Sequence, residues 1–217
     1  VVFVVGSASL GAEIAAARLM APFFGASTIV WANTIAVVLV SLSVGYFYGG
    51  RLADRNPSLR GLCTLVLLAG VLIAAVPFAA KPFFPFAVDA LDQISAGAFL
   101  GSLLGVLILV SVPVMLLGAC APYALRLAVT DVEHSGEIAG RLYAISTAGS
   151  LVGTMLAALL LIPAIGTQRT FLVFALALAL VAVGGLGWRY LAVPLALAGV
   201  VAIPVGTVKA TVGAGDK

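Results

Sequence analysis

Long uncharged stretches separated by short charged clusters set the pattern of this chain. A helix needs about 20 apolar residues to cross the hydrocarbon of a bilayer, and runs of that length predict about seven spans. The first covers Val1 to Met20 and carries Glu13 and Arg18. A turn from Pro22 to Ser27 leads to the second, Thr28 to Gly50. The polar loop Arg51 to Arg60 holds three arginines and precedes the third span, Gly61 to Ala80. Lys81-Pro82-Phe83-Phe84-Pro85-Phe86 is too rich in proline for a regular span. It reads as an interfacial segment, because aromatic rings favour headgroup depth. The fourth span, Gly97 to Leu127, exceeds what a bilayer requires. Pro113 and Pro122 predict kinks in it, and tilt absorbs the excess. The loop Thr130 to Gly136, with Asp131, Glu133 and the only histidine, His134, precedes the fifth span, Glu137 to Ile162. The sixth is Thr170 to Trp188 and the seventh Leu191 to Val208. Residues 1–208 therefore read as one transmembrane helical domain, and 209–217 as a polar tail or a linker to a further domain.

Composition supports lipid as the solvent. Of 217 residues, 63% are hydrophobic and 9% charged, with a mean hydropathy of +1.26. A soluble domain carries about 25% charged residues. The net charge of +3 comes without a basic run, so nothing suggests a nucleic-acid partner. The positions of the cations say more than their sum. Arg51, Arg55, Arg60, Arg126, Arg141 and Arg189 fall on one side of the predicted bundle; Lys81, Arg169, Lys209 and Lys217 fall on the other. The positive-inside rule puts the first group and the N-terminus in the cytoplasm, at the cell (inner) membrane. Seven crossings would leave the C-terminal side outside. Cys63 and Cys120 lie in apolar runs and read as small buried hydrophobes. With no CxxC and no His/Cys cluster, no metal site is expected.

Helices in lipid associate through small residues. Gly97, Gly101 and Gly105 form one such stripe; Gly45 and Gly49 form another; Ser146, Gly149, Ser150 and Gly153 form a third. Among ionisable residues, Glu13 stands out, because a short carboxylate at bilayer depth is costly and marks a functional candidate. Arg18 is long enough to snorkel to the outer interface. The two are five positions apart, about 140° around a helix, and are not expected to pair. Glu137 and Arg141 stand at i, i+4, the spacing of a helix salt bridge, with Arg126 a competitor from the same side. Tyr143, Ser146 and Thr147 continue that polar stripe inward. They line a cavity, or the hydroxyls bond carbonyls of their own helix. No hydrolase, zinc-protease or phosphate-loop signature occurs, so no catalytic residue is assigned.

The stretch Gly49-Gly50-Arg51-Leu52-Ala53-Asp54-Arg55 resembles the loop between the second and third helices of major facilitator transporters. The resemblance implies that Asp54, flanked by Arg51 and Arg55, belongs to a conformational latch and pairs with an arginine of a neighbouring helix. Pro57 stands where that family usually has glycine. A wider set of stretches resembles the membrane half of the multi-spanning spermidine-synthase-like family, a fused major-facilitator-like and spermidine synthase family. These are Glu13 to Arg18 with Ala21-Pro22-Phe23-Phe24-Gly25, Val30-Trp31, Gly45-Tyr46 through Arg55, and Gly118-Ala119-Cys120-Ala121-Pro122 with Leu125-Arg126-Leu127. Gly140-Arg141-Leu142-Tyr143 through Ser150, Gly153-Thr154, Leu161-Ile162-Pro163 and Gly166-Thr167 complete the series.

This resemblance implies an all-α polytopic bundle, a major-facilitator-like half. It also implies an aminopropyltransferase-like domain after the helices, for which decarboxylated S-adenosylmethionine is a substrate; the helices themselves need no cofactor. The expected function is membrane anchorage of that enzyme, with binding or passage of a polyamine or a related small cationic metabolite. Two other readings stand beside it. One is a self-contained half-facilitator-type transporter, a homodimer; the other is a structural subunit of a larger membrane assembly.

Overall fold

The computed structural model describes residues 1–25, 27–91, 97–129 and 133–202. Every element among them is helical. In chain order they are α1 (Val2–Phe24), α2 (Thr28–Arg55), α3 (Leu59–Leu91), α4 (Gly97–Leu109), α5 (Ser111–Ala128) and α6 (Ser135–Met155). A π-helical turn, Leu156–Leu161, joins α6 to α7 (Ile162–Leu186); a 3-10 turn, Trp188–Tyr190, precedes α8 (Ala192–Ala202). Five stretches are long and apolar enough to cross a membrane: α1, α2, Leu59–Ala90, α5, and the run Ser135–Leu186. The protein is a membrane-embedded helical bundle.

The last of these stretches is 52 residues, about 78 Å if straight, far beyond the roughly 30 Å of hydrocarbon. It does not continue straight. Gly166 adopts φ 82° and ψ 164°, a conformation in which a Cβ would be strained, and the chain reverses there. Contacts on either side give the directions. Phe3 meets Gly149 and Ser7 meets Gly153, so α1 and α6 run parallel. Gly11 meets Phe174 while Leu19 and Phe23 share a cavity with Gln168, so α7 runs against α1.

Three pairings dominate the bundle: α2 with α5, α1 with α6, and α3 with α7. Small residues explain the closeness of the first two. A Cβ added at Gly45 would collide with the Met115 carbonyl, one at Gly49 with Ala119 backbone, and one at Gly149 with the Phe3 carbonyl. Hydroxyls then cross the α1–α6 seam in both directions. Ser7 Oγ donates to the Gly149 carbonyl at 2.7 Å, and Ser150 Oγ donates to the Gly6 carbonyl at 3.2 Å. Between α2 and α4, buried Asn33 donates through Nδ2 to the Phe99 carbonyl at 3.0 Å and to Ser102 Oγ at 2.9 Å.

Several boundaries differ from those the pattern predicts. The aromatic and proline segment Lys81 to Phe86 is helical and belongs to α3, despite Pro77, Pro82 and Pro85. Proline removes one intrahelical bond but leaves neighbouring carbonyls that water can reach at the interface. The loop after the second span shrinks to Asn56, Pro57 and Ser58, because α2 continues through Arg55. The long fourth span breaks at Val110, one turn before Pro113, as expected of a proline that removes the bond to the Leu109 carbonyl, whereas no break falls at Pro122. Residues 203–208 of the expected seventh span, Asp131, and the tail with Lys209 and Lys217 lie outside the described residues.

Candidate functional site

A groove opens between α1, α2, α5 and α6. Near the arginine-rich end it is a cleft of about 410 Å³ lined by Tyr46, Ala121, Pro122, Tyr143, Ser146, Thr147 and Ser150. It continues inward into a narrower space of about 190 Å³ bounded by Ser9, Leu10, Leu42 and Gly118. Tyr143 lies two positions from Arg141, and Pro122 four from Arg126, which fixes the mouth at the arginine-rich face. Tyr143 is 59% exposed and Tyr46 48%, so two phenol rings flank the entrance. Many hydroxyls elsewhere bond the carbonyl four residues back, among them Thr34, Ser41 and Thr154. Ser146 and Thr147 make no such bond among the described residues and are among those that line the groove.

Glu13 stands at the midpoint of α1, with 11 residues on either side, about 16 Å from each helix end. Three and four positions separate it from Leu10 and Ser9, so all three share one helix face. Helical side chains lean toward the helix N-terminus, which sets Glu13 one turn beyond Ser9 and Leu10 of the groove floor; Glu13 itself is not among the residues that line it. It is half-buried and has no hydrogen-bond or ion-pair partner among the described residues. Arg18 is exposed and makes no pair with it.

At the arginine-rich face the structure brings Asp54 and Arg126 together. Arg126 Nε donates to Asp54 Oδ1 at 3.1 Å, with side chains 49% and 72% exposed. An ion pair so open to solvent contributes roughly 0–1 kcal/mol. Arg126 thus serves Asp54 and not Glu137, and Glu137 and Arg141 form no ion pair among the described residues. The i, i+4 spacing allows contact, but two exposed, flexible side chains gain little by holding it. Arg55 makes no ion pair among the described residues; Arg51 stacks its guanidinium 4.0 Å over the Phe47 ring instead.

One residue with no sequence signal secures the same corner. Tyr123, 1% exposed, donates its hydroxyl to the Asn56 carbonyl at 2.6 Å and accepts from the Ser58 N–H at 3.3 Å. Its ring fills the space over Gly61, where a Cβ would strike the hydroxyl. Asn33 and Ser102 are a second pair that pattern reading passes over, because a lone Asn in an apolar run does not name its partner 69 residues away.

No known protein family, curated protein or solved structure matches this chain. The groups of His, Cys, Asp and Glu needed to hold a metal ion are absent among the described residues.

Proposed function

We propose that this chain is the membrane domain of a spermidine-synthase-like protein, a major-facilitator-like half that binds a polyamine or a related small organic cation from the cytoplasmic side. The observation that carries the reading is Glu13, an unpartnered carboxylate at mid-depth on the face that floors a groove open to the arginine-rich end. A polyamine suits this arrangement chemically. Its ammonium groups seek a carboxylate and the faces of aromatic rings, and Tyr46 and Tyr143 flank the way in. Its methylene spacers tolerate the apolar wall of Leu10, Leu42 and Gly118. Six complete crossings follow if α4 and α5 count as one pass and the run Ser135–Leu186 as two; α8 then opens a seventh. Exchanging the first three crossings with the last three preserves the main pairings, the mark of an inverted three-plus-three repeat. In this reading the domain sits in the inner membrane with its N-terminus in the cytoplasm, anchoring an aminopropyltransferase-like enzyme.

The test is spermidine binding to the purified chain in nanodiscs. Loss of a charge-assisted bond amounts to about 1.5–3 kcal/mol, so Glu13→Gln should weaken binding roughly 10- to 100-fold. Unchanged affinity would remove Glu13 from the site.

A second reading, a half-facilitator-type transporter working as a homodimer, draws on the exposure of Tyr46, Tyr143 and Thr147 along one side of the groove. A second copy covering that side would turn the groove into a closed passage. This reading expects spermidine uptake by proteoliposomes containing the chain alone, abolished by Glu13→Gln. Binding without uptake favours the anchoring domain.

A further inference from the structure

A separate cavity of about 190 Å³ lies at the opposite end of the bundle, between α1, α3 and α7. Leu19, Phe23, Pro77 and Phe84 form its apolar wall; Lys81 and Gln168 are its polar members. The wall is braced by rings: Phe23 and Phe84 stand 5.0 Å apart between centroids, and Phe24 meets Phe84 edge-on at 5.7 Å. Depth follows from α3. With Gly61 set at the arginine-rich edge, residues 61–80 span about 30 Å at 1.5 Å per residue, and Lys81 falls at the far edge of the hydrocarbon. Its ammonium lies 5.7 Å from the Phe78 ring centroid and has no carboxylate partner among the described residues. Among the described residues no carboxylate lines the cavity; the nearest one on α3, Asp89, is two turns further along.

We propose that this cavity seats a glycerophospholipid of the leaflet opposite the arginine-rich face, its phosphodiester held by the Lys81 ammonium and the Gln168 amide. The upper methylenes of one acyl chain then lie against Leu19, Phe23 and Phe84. The space of about 190 Å³ admits a phosphate and the first methylenes, with the remaining tail outside along the bundle. An apolar wall discriminates in favour of a lipid. A hydrated inorganic phosphate gains nothing from aromatic rings and surrenders its water to reach a single ammonium. A lipid already carries its phosphate at the depth of Lys81 and buries alkyl surface besides.

Native mass spectrometry of the detergent-purified full chain, titrated with phosphatidylglycerol, tests this site. The wild type should retain one lipid more tightly than the rest. Lys81→Gln should lose it with a roughly tenfold weaker affinity, as expected of a charge-assisted bond at an interface, and Lys81→Arg should keep it. Millimolar inorganic phosphate should not displace the lipid. Because Lys81 is exposed, the variants should unfold at the wild-type temperature. Equal retention by Lys81→Gln would overturn the proposal, and displacement by inorganic phosphate would mean a free-anion site instead. Spermidine binding should be unaffected by either variant.

Discussion

At Tyr123 a single hydroxyl ties off the three-residue turn between α2 and α3 by serving one carbonyl and one N–H at once. Asn56 is exposed and Ser58 half-buried, so water reaches the turn in part, and losing a hydrogen bond there costs about 0.5–1.5 kcal/mol. Tyr123→Phe should therefore unfold at lower temperature in detergent and expose the Arg55 and Arg60 bonds to trypsin. A variant as stable and as resistant as the wild type would show that water replaces the hydroxyl. Residues differ in how far their roles can be read from sequence. The place of Glu13, half-buried at mid-helix, was legible because a carboxylate within an apolar run stands out wherever its neighbours are. Tyr143, Ser146 and Thr147 were legible as a stripe, though whether their hydroxyls faced a cavity or their own backbone depended on α2 and α5. Tyr123 and Asn33 gave no signal, since their partners lie 65 to 69 residues away.

Glycines spaced by four illustrate what an element's sequence conveys and what it withholds. Gly45 and Gly49 let the backbone of α5 approach α2, whereas Gly101 and Gly105 make room for the rings of Phe24 and Phe84. The spacing is the same; only the partner surface distinguishes them. Gly45→Val should disrupt the α2–α5 seam, because backbone cannot swing aside as a side chain can. We expect a loss of several kcal/mol, in the range of severe core overpacking, measured as a collapse of the monodisperse peak on size exclusion. Gly140→Ala, with open space around the added carbon, should leave the peak unchanged. Helix existence was readable from the apolar runs alone, since lipid leaves backbone groups no partner but the helix itself. Helix ends were less so. The prolines of α3 and the reach of α2 through Arg55 depend on hydration at the interface, which apolar pattern does not encode.

For the whole molecule, the clustering of arginines at one end sets an expectation for orientation. Cysteine placed at Asn56 should react with an impermeant maleimide only after cells are opened, and cysteine at Asp89 should react in intact cells. Cys63 and Cys120 are buried and should stay silent in both cases. The reverse pattern would turn the groove outward and exclude cytoplasmic loading. The arrangement of crossings was the least legible feature. It rests on pairings between distant helices, whereas the reversal at Gly166 falls between the expected fifth and sixth spans, Glu137–Ile162 and Thr170–Trp188.

The parallel seam of α1 and α6 also has a consequence for biogenesis. Its hydroxyl bonds join residues 142 and 144 positions apart, so the first helix to emerge completes its packing only when α6 arrives. At about 5–20 residues per second, that interval is roughly 7–30 s. Throughout it, a helix bearing a mid-membrane carboxylate stands without its main neighbour, sheltered only by the insertion machinery or by water drawn into the bilayer. Glu13 is carried through that interval on a helix that has not yet met α6.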